Sequence, residues 1–166
     1  MRAVCILAAS ASALKNGLDL VPPMGWSNWE SSGCAVTEDY VRASADAMAA
    51  KGLLAAGYTI VEVDDCWAEA ERNATGYLVP NANFSSGMAA LGAFIHARGL
   101  KFGLYSDRGF RTCQAFPGLL GSEARDVATM AGWGVDFLKN DACYTISPSA
   151  KENLGADSRT PPWPLP

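Results

Sequence analysis

Hydrophobic positions fall along this chain in two alternating rhythms. Short apolar runs at residues 58–63, 101–105 and 135–138 read as strands, and between them lie longer stretches in which apolar residues return at helical spacing. The stretch from Thr37 and Glu38 to about Ala56 is alanine-rich, opens on a threonine suited to cap a helix, and is followed by Gly57. A second helix is predicted at about 87–98, closed by Gly99, and a third near 123–132. Ahead of them, Val21-Pro22-Pro23-Met24-Gly25-Trp26 predicts an extended entry with a short first strand, because two prolines bar a helix. Strands alternating with helices of this length predict an α/β fold of parallel βαβ units with right-handed crossovers.

The apolar runs do not end where their hydrophobicity ends. Residues 58–63 lead into Asp64-Asp65-Cys66-Trp67, residues 101–104 into Tyr105-Ser106-Asp107, and residues 135–138 into Lys139-Asn140-Asp141-Ala142-Cys143. Polar groups gathered at the carboxyl ends of buried parallel strands mark a pocket, the arrangement of (β/α)8 barrels and of open doubly wound sheets. No Gly-x-Gly-x-x-Gly turn follows any strand, so a dinucleotide fold has no support. In an extended segment Lys139 and Asp141 share a face, and the ammonium is expected to keep the carboxylate ionised, as a nucleophile requires.

Composition narrows the setting. The 166 residues are 49% hydrophobic and carry a net charge of -4 without a Lys or Arg run, which argues for one globular domain and against a nucleic-acid partner. Residues 1–13 have a basic head, an apolar middle and small residues suited to cleavage, and predict a secretory signal peptide. That apolar stretch is too short to span a bilayer of about 30 Å, and no later segment is long enough, so no membrane partner is expected. Loss of Cys5 with the leader leaves Cys34, Cys66, Cys113 and Cys143, an even set that favours disulfides with three pairings open. Sequons at Asn73 and Asn83 lie in a turn-rich stretch and predict surface glycosylation. Together these features predict a secreted protein, or one in a compartment reached through the secretory pathway.

Asp64 and Asp65 are too few oxygen ligands for a hard-cation site, and His96 has no Cys or His at ligand spacing, so no metal is expected. His96, Trp67 and Trp133 are expected in surface or packing roles.

The motifs Pro22-Pro23-Met24-Gly25-Trp26-Ser27-Asn28-Trp29, Val63-Asp64-Asp65-Cys66-Trp67, Gly103-Leu104-Tyr105-Ser106-Asp107, Thr112-Cys113 and Leu138-Lys139-Asn140-Asp141-Ala142-Cys143 resemble, in order and spacing, the α-galactosidases and α-N-acetylgalactosaminidases of glycoside hydrolase family 27. The resemblance covers residues 21–144. It implies a (β/α)8 barrel and retaining hydrolysis of terminal α-linked galactose without a metal or organic cofactor. It also implies Asp141 as nucleophile, Lys139 as its sugar-contacting partner, Asp64 and Asp65 as ligands of sugar hydroxyls, and Trp29, Tyr105 and Cys113 at the pocket. By the same resemblance, Cys34 pairs with Cys66 and Cys113 with Cys143. Asn140 stands where the family commonly has an aromatic, and Ala142 where it varies.

About four strands are predicted, whereas a closed barrel takes around 250 residues. The general acid/base that the resemblance implies lies on a later strand. Asp107, expected in a loop, and Asp136, at the far end of its strand, are poor substitutes. Residues 145–166 are proline-rich and depart from the family pattern. The expectation is a truncated α-galactosidase-type hydrolase lacking its acid/base. The rival is an inactive fragment or sugar-binding remnant, and either way exposed half-barrel edges favour self-association.

Overall fold

The computed structural model describes residues 21–145. The leader expected at 1–13 and nearly all of the proline-rich tail lie outside the described residues. Four strands, β1 (Gly25–Ser27), β2 (Ile60–Val63), β3 (Lys101–Asp107) and β4 (Phe137–Asp141), pair in parallel in the order β1-β2-β3-β4. Spatial order equals chain order, so each connection is a single crossover to the next strand. Helices α1 (Trp29–Ser32) and α2 (Glu38–Ala50) link β1 to β2, α3 (Met88–His96) links β2 to β3, and α4 (Glu123–Gly132) links β3 to β4. This succession is the βα repeat of a (β/α)8 barrel, as the sequence predicts.

Alternation along the strands divides the residues between two faces. Val61, Val63, Phe102 and Leu104 are fully buried and form one core with Val41, Ala45 and Met48 of α2, Leu91 and Ile95 of α3, and Met130 of α4. Burying each such side chain contributes about 1.5–3 kcal/mol. The intervening residues Glu62, Asp64, Gly103, Tyr105, Lys139 and Asp141 lie on the opposite, inner face. Trp67 and Trp133 meet edge to face with centroids 5.8 Å apart, a packing role as expected.

Several element limits differ from the sequence reading. Helix α2 begins on its predicted cap, with Thr37 Oγ1 accepting from Tyr40 N at 3.2 Å, but ends at Ala50 rather than near Ala56. Lys51 N still donates to Ala47 O, and Gly52 at φ +79° then turns the chain into the left-handed region that glycine tolerates. The alanines that follow Gly52 therefore sit in turns despite their helix propensity. Strand β4 starts at Phe137 because Val135 N remains tied to Met130 O of α4 (3.0 Å). Strands β3 and β4 run on to Asp107 and Asp141, which are register partners. Asp107 is therefore a strand residue, contrary to the loop expected for it.

Candidate active site

The carboxyl ends of the strands bring the predicted residues onto one rim. Asp64 follows β2 directly and is buried. Its backbone N–H donates to Asn28 Oδ1 at 2.7 Å, which locks the end of β2 to the turn after β1. Its Oδ2 accepts from Lys139 Nζ at 2.5 Å and from Ser27 Oγ at 3.2 Å, while Oδ1 accepts from Asp65 N at 2.8 Å. Lys139 thus hydrogen-bonds Asp64 across the sheet, and Asp141, on the same face as expected, acts on it through its charge. Register explains the choice: Lys139 lies beside Tyr105 of β3 and reaches past that ring, 5.2 Å from its centroid, to β2. Desolvation alone would lower the Lys139 ammonium, but the hydrogen bond and charge of Asp64, aided by Glu62 and Asp141, outweigh it and raise the pKa.

Asp65 is also buried, with Oδ1 accepting from Cys66 N (2.8 Å) and Oδ2 from Gln114 N (3.0 Å). Burial is the main reason its carboxyl rises above the ordinary value, and those two N–H donors oppose the rise. Cys66 follows in the left-handed region at φ 73°, unusual for a residue with a side chain. It is held there from two sides, by the disulfide to Cys34 and by Asn81 Nδ2 donating to its carbonyl at 2.8 Å.

Asp141 ends β4. Its Oδ2 accepts from the Tyr105 hydroxyl at 3.2 Å, its Oδ1 from Ala142 N at 2.8 Å, and Cys113 Sγ lies 3.3 Å away. Burial, with the charges of Asp65 and Asp141, pushes the Tyr105 phenol far up, so it stays a neutral donor. The disulfides Cys34–Cys66 and Cys113–Cys143 are those the resemblance implies. Sulfur and carboxylate atoms of Asp107, Cys113, Asp141 and Cys143 cluster within 4.8 Å, but both thiols are spent in the disulfide, so the donor set does not suit a metal.

Asp107 is fully buried and spends Oδ1 on Gly109 N (2.6 Å) and Oδ2 on Cys143 N (2.7 Å). It fastens the loop after β3 to the end of β4. Asp136, at the opposite end, accepts from Phe102 N and contacts His96 Nε2 at 2.7 Å, which gives His96 its surface pairing. Trp29 opens α1 on the same rim as the carboxylates, half-buried, with its backbone N–H donating to Ser27 Oγ at 3.3 Å. Asn73 and Asn83 are both exposed. Asn73 Oδ1 accepts from Thr75 Oγ1 (2.9 Å), whereas Asn83 Nδ2 donates to Val36 O (3.2 Å).

Two features escaped the sequence reading. Asn28 and Ser27 position Asp64, and only their place in the first motif hinted at it. Glu62, in the middle of an apolar strand, is buried on the inner face without a hydrogen-bond partner among the described residues.

Fold and rim together define a (β/α)-barrel type of protein with a carboxylate-rich site at the strand ends. A family model described as Alpha galactosidase A (Melibiase_2) matches residues 21–157, and the chain belongs to this family of glycoside hydrolase family 27 α-galactosidases. It is 50% identical over 140 residues to an alpha-galactosidase of Cyamopsis tetragonoloba, covering 83% of this chain and 34% of that protein. Among solved structures, alpha-galactosidase I from Mortierella vinacea superposes with a TM-score of 0.77 at 41% identity, covering 80% of this chain and 34% of that one. The alpha-galactosidase of Saccharomyces cerevisiae solved with raffinose gives 0.76 at 39% identity, covering 78% and 29%. The chain therefore spans about a third of the length of the relatives it matches. Two disulfides point to an oxidising location, extracellular or within the secretory pathway.

Proposed function

We propose that residues 21–144 form the sugar-holding and nucleophile-bearing part of a retaining α-galactosidase barrel, acting on terminal α-linked galactose. The observation that carries this reading is the convergence at one rim of Asp141, in contact with the Tyr105 hydroxyl, and the Lys139–Asp64 ion pair. In this reading Asp64 and Asp65 accept hydrogen bonds from sugar hydroxyls, and Lys139 both fixes Asp64 and donates to the sugar. Trp29 and Tyr105 offer aromatic faces to the apolar side of the ring, and the Cys113 sulfur borders it. Asp141 attacks the anomeric carbon, the bond to the leaving oxygen breaks, and the carboxylate becomes a β-galactosyl ester that water later cleaves.

Protonation of the leaving oxygen needs a second carboxyl group, about 5 to 5.5 Å from the nucleophile in a retaining enzyme. Asp107 cannot serve, because both of its oxygens are taken by backbone N–H groups in a fully buried position. In this reading the acid/base is supplied from outside the described residues. This favours a second reading for the described residues taken by themselves, a galactose-binding remnant without turnover. Asn73 and Asn83 are proposed N-glycosylation sites of a secreted protein with a signal peptide at 1–13.

Galactose titration by calorimetry or NMR tests the recognition step. Wild-type protein is expected to bind, and Asp64→Asn to weaken binding by about 1.5–3 kcal/mol through loss of a charged acceptor. Equal affinity of the two proteins would refute the role given to Asp64. Hydrolysis of an aryl α-galactoside by the chain would refute the remnant reading, which binds without turning over.

A further inference from the structure

Glu62 lies one layer below the Asp64–Lys139 pair on the same face of β2, and it is 4% exposed. Neither carboxylate oxygen has a hydrogen-bond partner among the described residues. The residue lines an inner-face groove of about 190 Å³ together with Ser27, Ile60, Phe137 and Lys139. A buried carboxylate without donors is disfavoured unless it is neutral or gains a partner.

The neighbours of Glu62 on each strand narrow that choice. From β1 comes Ser27, its register partner, whose hydroxyl is already directed at Asp64. On β2 itself the next inward group is Asp64, a like charge. From β3 come Gly103, with no side chain, and one layer higher the Tyr105 phenol. From β4 come Phe137 and Lys139, so Lys139 is the cation facing Glu62 among the described residues. The Lys139 side chain is 43% exposed, which leaves its flexible stem room to move. Burial is the largest influence and, with the Asp64 charge, pushes the Glu62 carboxyl up to about 7 against the pull of the nearby Ser27 hydroxyl and of Lys139, although the Ser27 hydroxyl makes its hydrogen bond to Asp64.

We propose that Glu62 is a positioning residue for the galactose site, its protonation state deciding whether Lys139 holds Asp64 alone or is shared with a second carboxylate. As a neutral acid, Glu62 leaves the ammonium to Asp64, and the hydroxyl-binding carboxylate stays fixed. On losing its proton to water in the open groove, it competes for the same ammonium, and Asp64 is loosened. Sugar binding therefore weakens on the alkaline side of neutrality. This inference rests on the recognition role proposed for Asp64, but its core, the coupling of Glu62 to Asp64 through Lys139, can be read without sugar.

Carbon-13 NMR of the carboxyl groups in the full wild-type chain tests the coupling. Glu62 is expected to titrate near neutrality, and the Asp64 carboxyl and Lys139 side-chain signals to show an inflection at the same pH, absent in Glu62→Gln. A Glu62 midpoint in the ordinary carboxylate range, or Asp64 and Lys139 signals indifferent to it, would overturn the proposal, and neither result depends on a variant folding. In the second arm, galactose affinity of the wild type is expected to fall about tenfold from near pH 6 to near pH 8 and to stay level in Glu62→Gln, which mimics the neutral acid. The same fall in both proteins would sink the inference and leave the proposed function standing. Absence of galactose binding at every pH would count against the proposed function, and the NMR coupling would then decide the inference alone.

Discussion

Lys139 shows how a single residue can be recognised in sequence while its hydrogen-bond partner stays hidden. Its chemistry and its inward face were legible, because Lys139 and Asp141 stand two apart at the end of an apolar run. Its partner was not, because partner choice depends on which strand lies next to which. Across Tyr105 the ammonium meets Asp64, a contact spanning 75 residues of sequence. Glu62 was passed over for a similar reason: one carboxylate within Ile60-Val61-Glu62-Val63 gives no local sign of being buried and unpaired. Its cost can be measured. The Glu62 carboxyl rises from 4.5 to about 7 on folding, so the unfolded chain releases the proton first as pH increases. The Glu62 contribution to stability is then fully present below about pH 4.5, falls up to about pH 7 and is gone beyond, a loss on the order of 3 kcal/mol. Glu62→Gln is expected to flatten this slope and to be the more stable protein at pH 8. Urea unfolding at pH 5 and pH 8 measures it, and parallel slopes in the two proteins would contradict the account.

At the scale of elements, the order of strands and helices was readable because each carries one period and a clear stop. Helix α4 matches its predicted span, and α3 lies within its own. The misjudged end of α2 comes from weighing helix propensity above a single glycine: Ala55 and Ala56 favour helix, but Gly52 had already turned the chain. Gly103 has the opposite significance, being a strand glycine required for space. A Cβ there would come within 3.0 Å of Glu62 Cβ and Ile60 Cγ2 on β2. Gly103→Ala is therefore expected to force the two strands apart and to cost about 1–3 kcal/mol, as overpacking does in well-filled interiors. Chemical unfolding reads the effect, and an unchanged midpoint would show that β2 and β3 are less tightly fitted than described.

At the scale of the molecule, the described residues form a four-stranded parallel sheet whose outer strands, β1 and β4, each pair on one side only among those residues. Beside β4 lies an apolar groove of about 150 Å³ walled by Val127, Met130, Val135 and Leu138, and Val127 is 50% exposed. Unpaired parallel edges flanked by apolar surface favour association. The 166-residue chain is expected to form concentration-dependent assemblies in light scattering coupled to size exclusion. A monodisperse monomer at high concentration would contradict this. The family's barrel class was legible from the repeat of strand, polar rim and helix, and the site was legible as carboxylates at strand ends.

The central claim is that Asp141 is a nucleophile held ready at the end of β4. It can be tested without the acid/base by an activated fluorosugar, 5-fluoro-α-D-galactosyl fluoride, whose fluoride departs with less help from a proton donor than an alkoxide needs. Intact-mass and peptide analysis after incubation is expected to show one 5-fluorogalactosyl ester on Asp141, with the anomeric fluoride released, absent in Asp141→Asn. A wild-type chain that binds galactose yet takes up no label, or carries it on another residue, would contradict the assignment of the nucleophile.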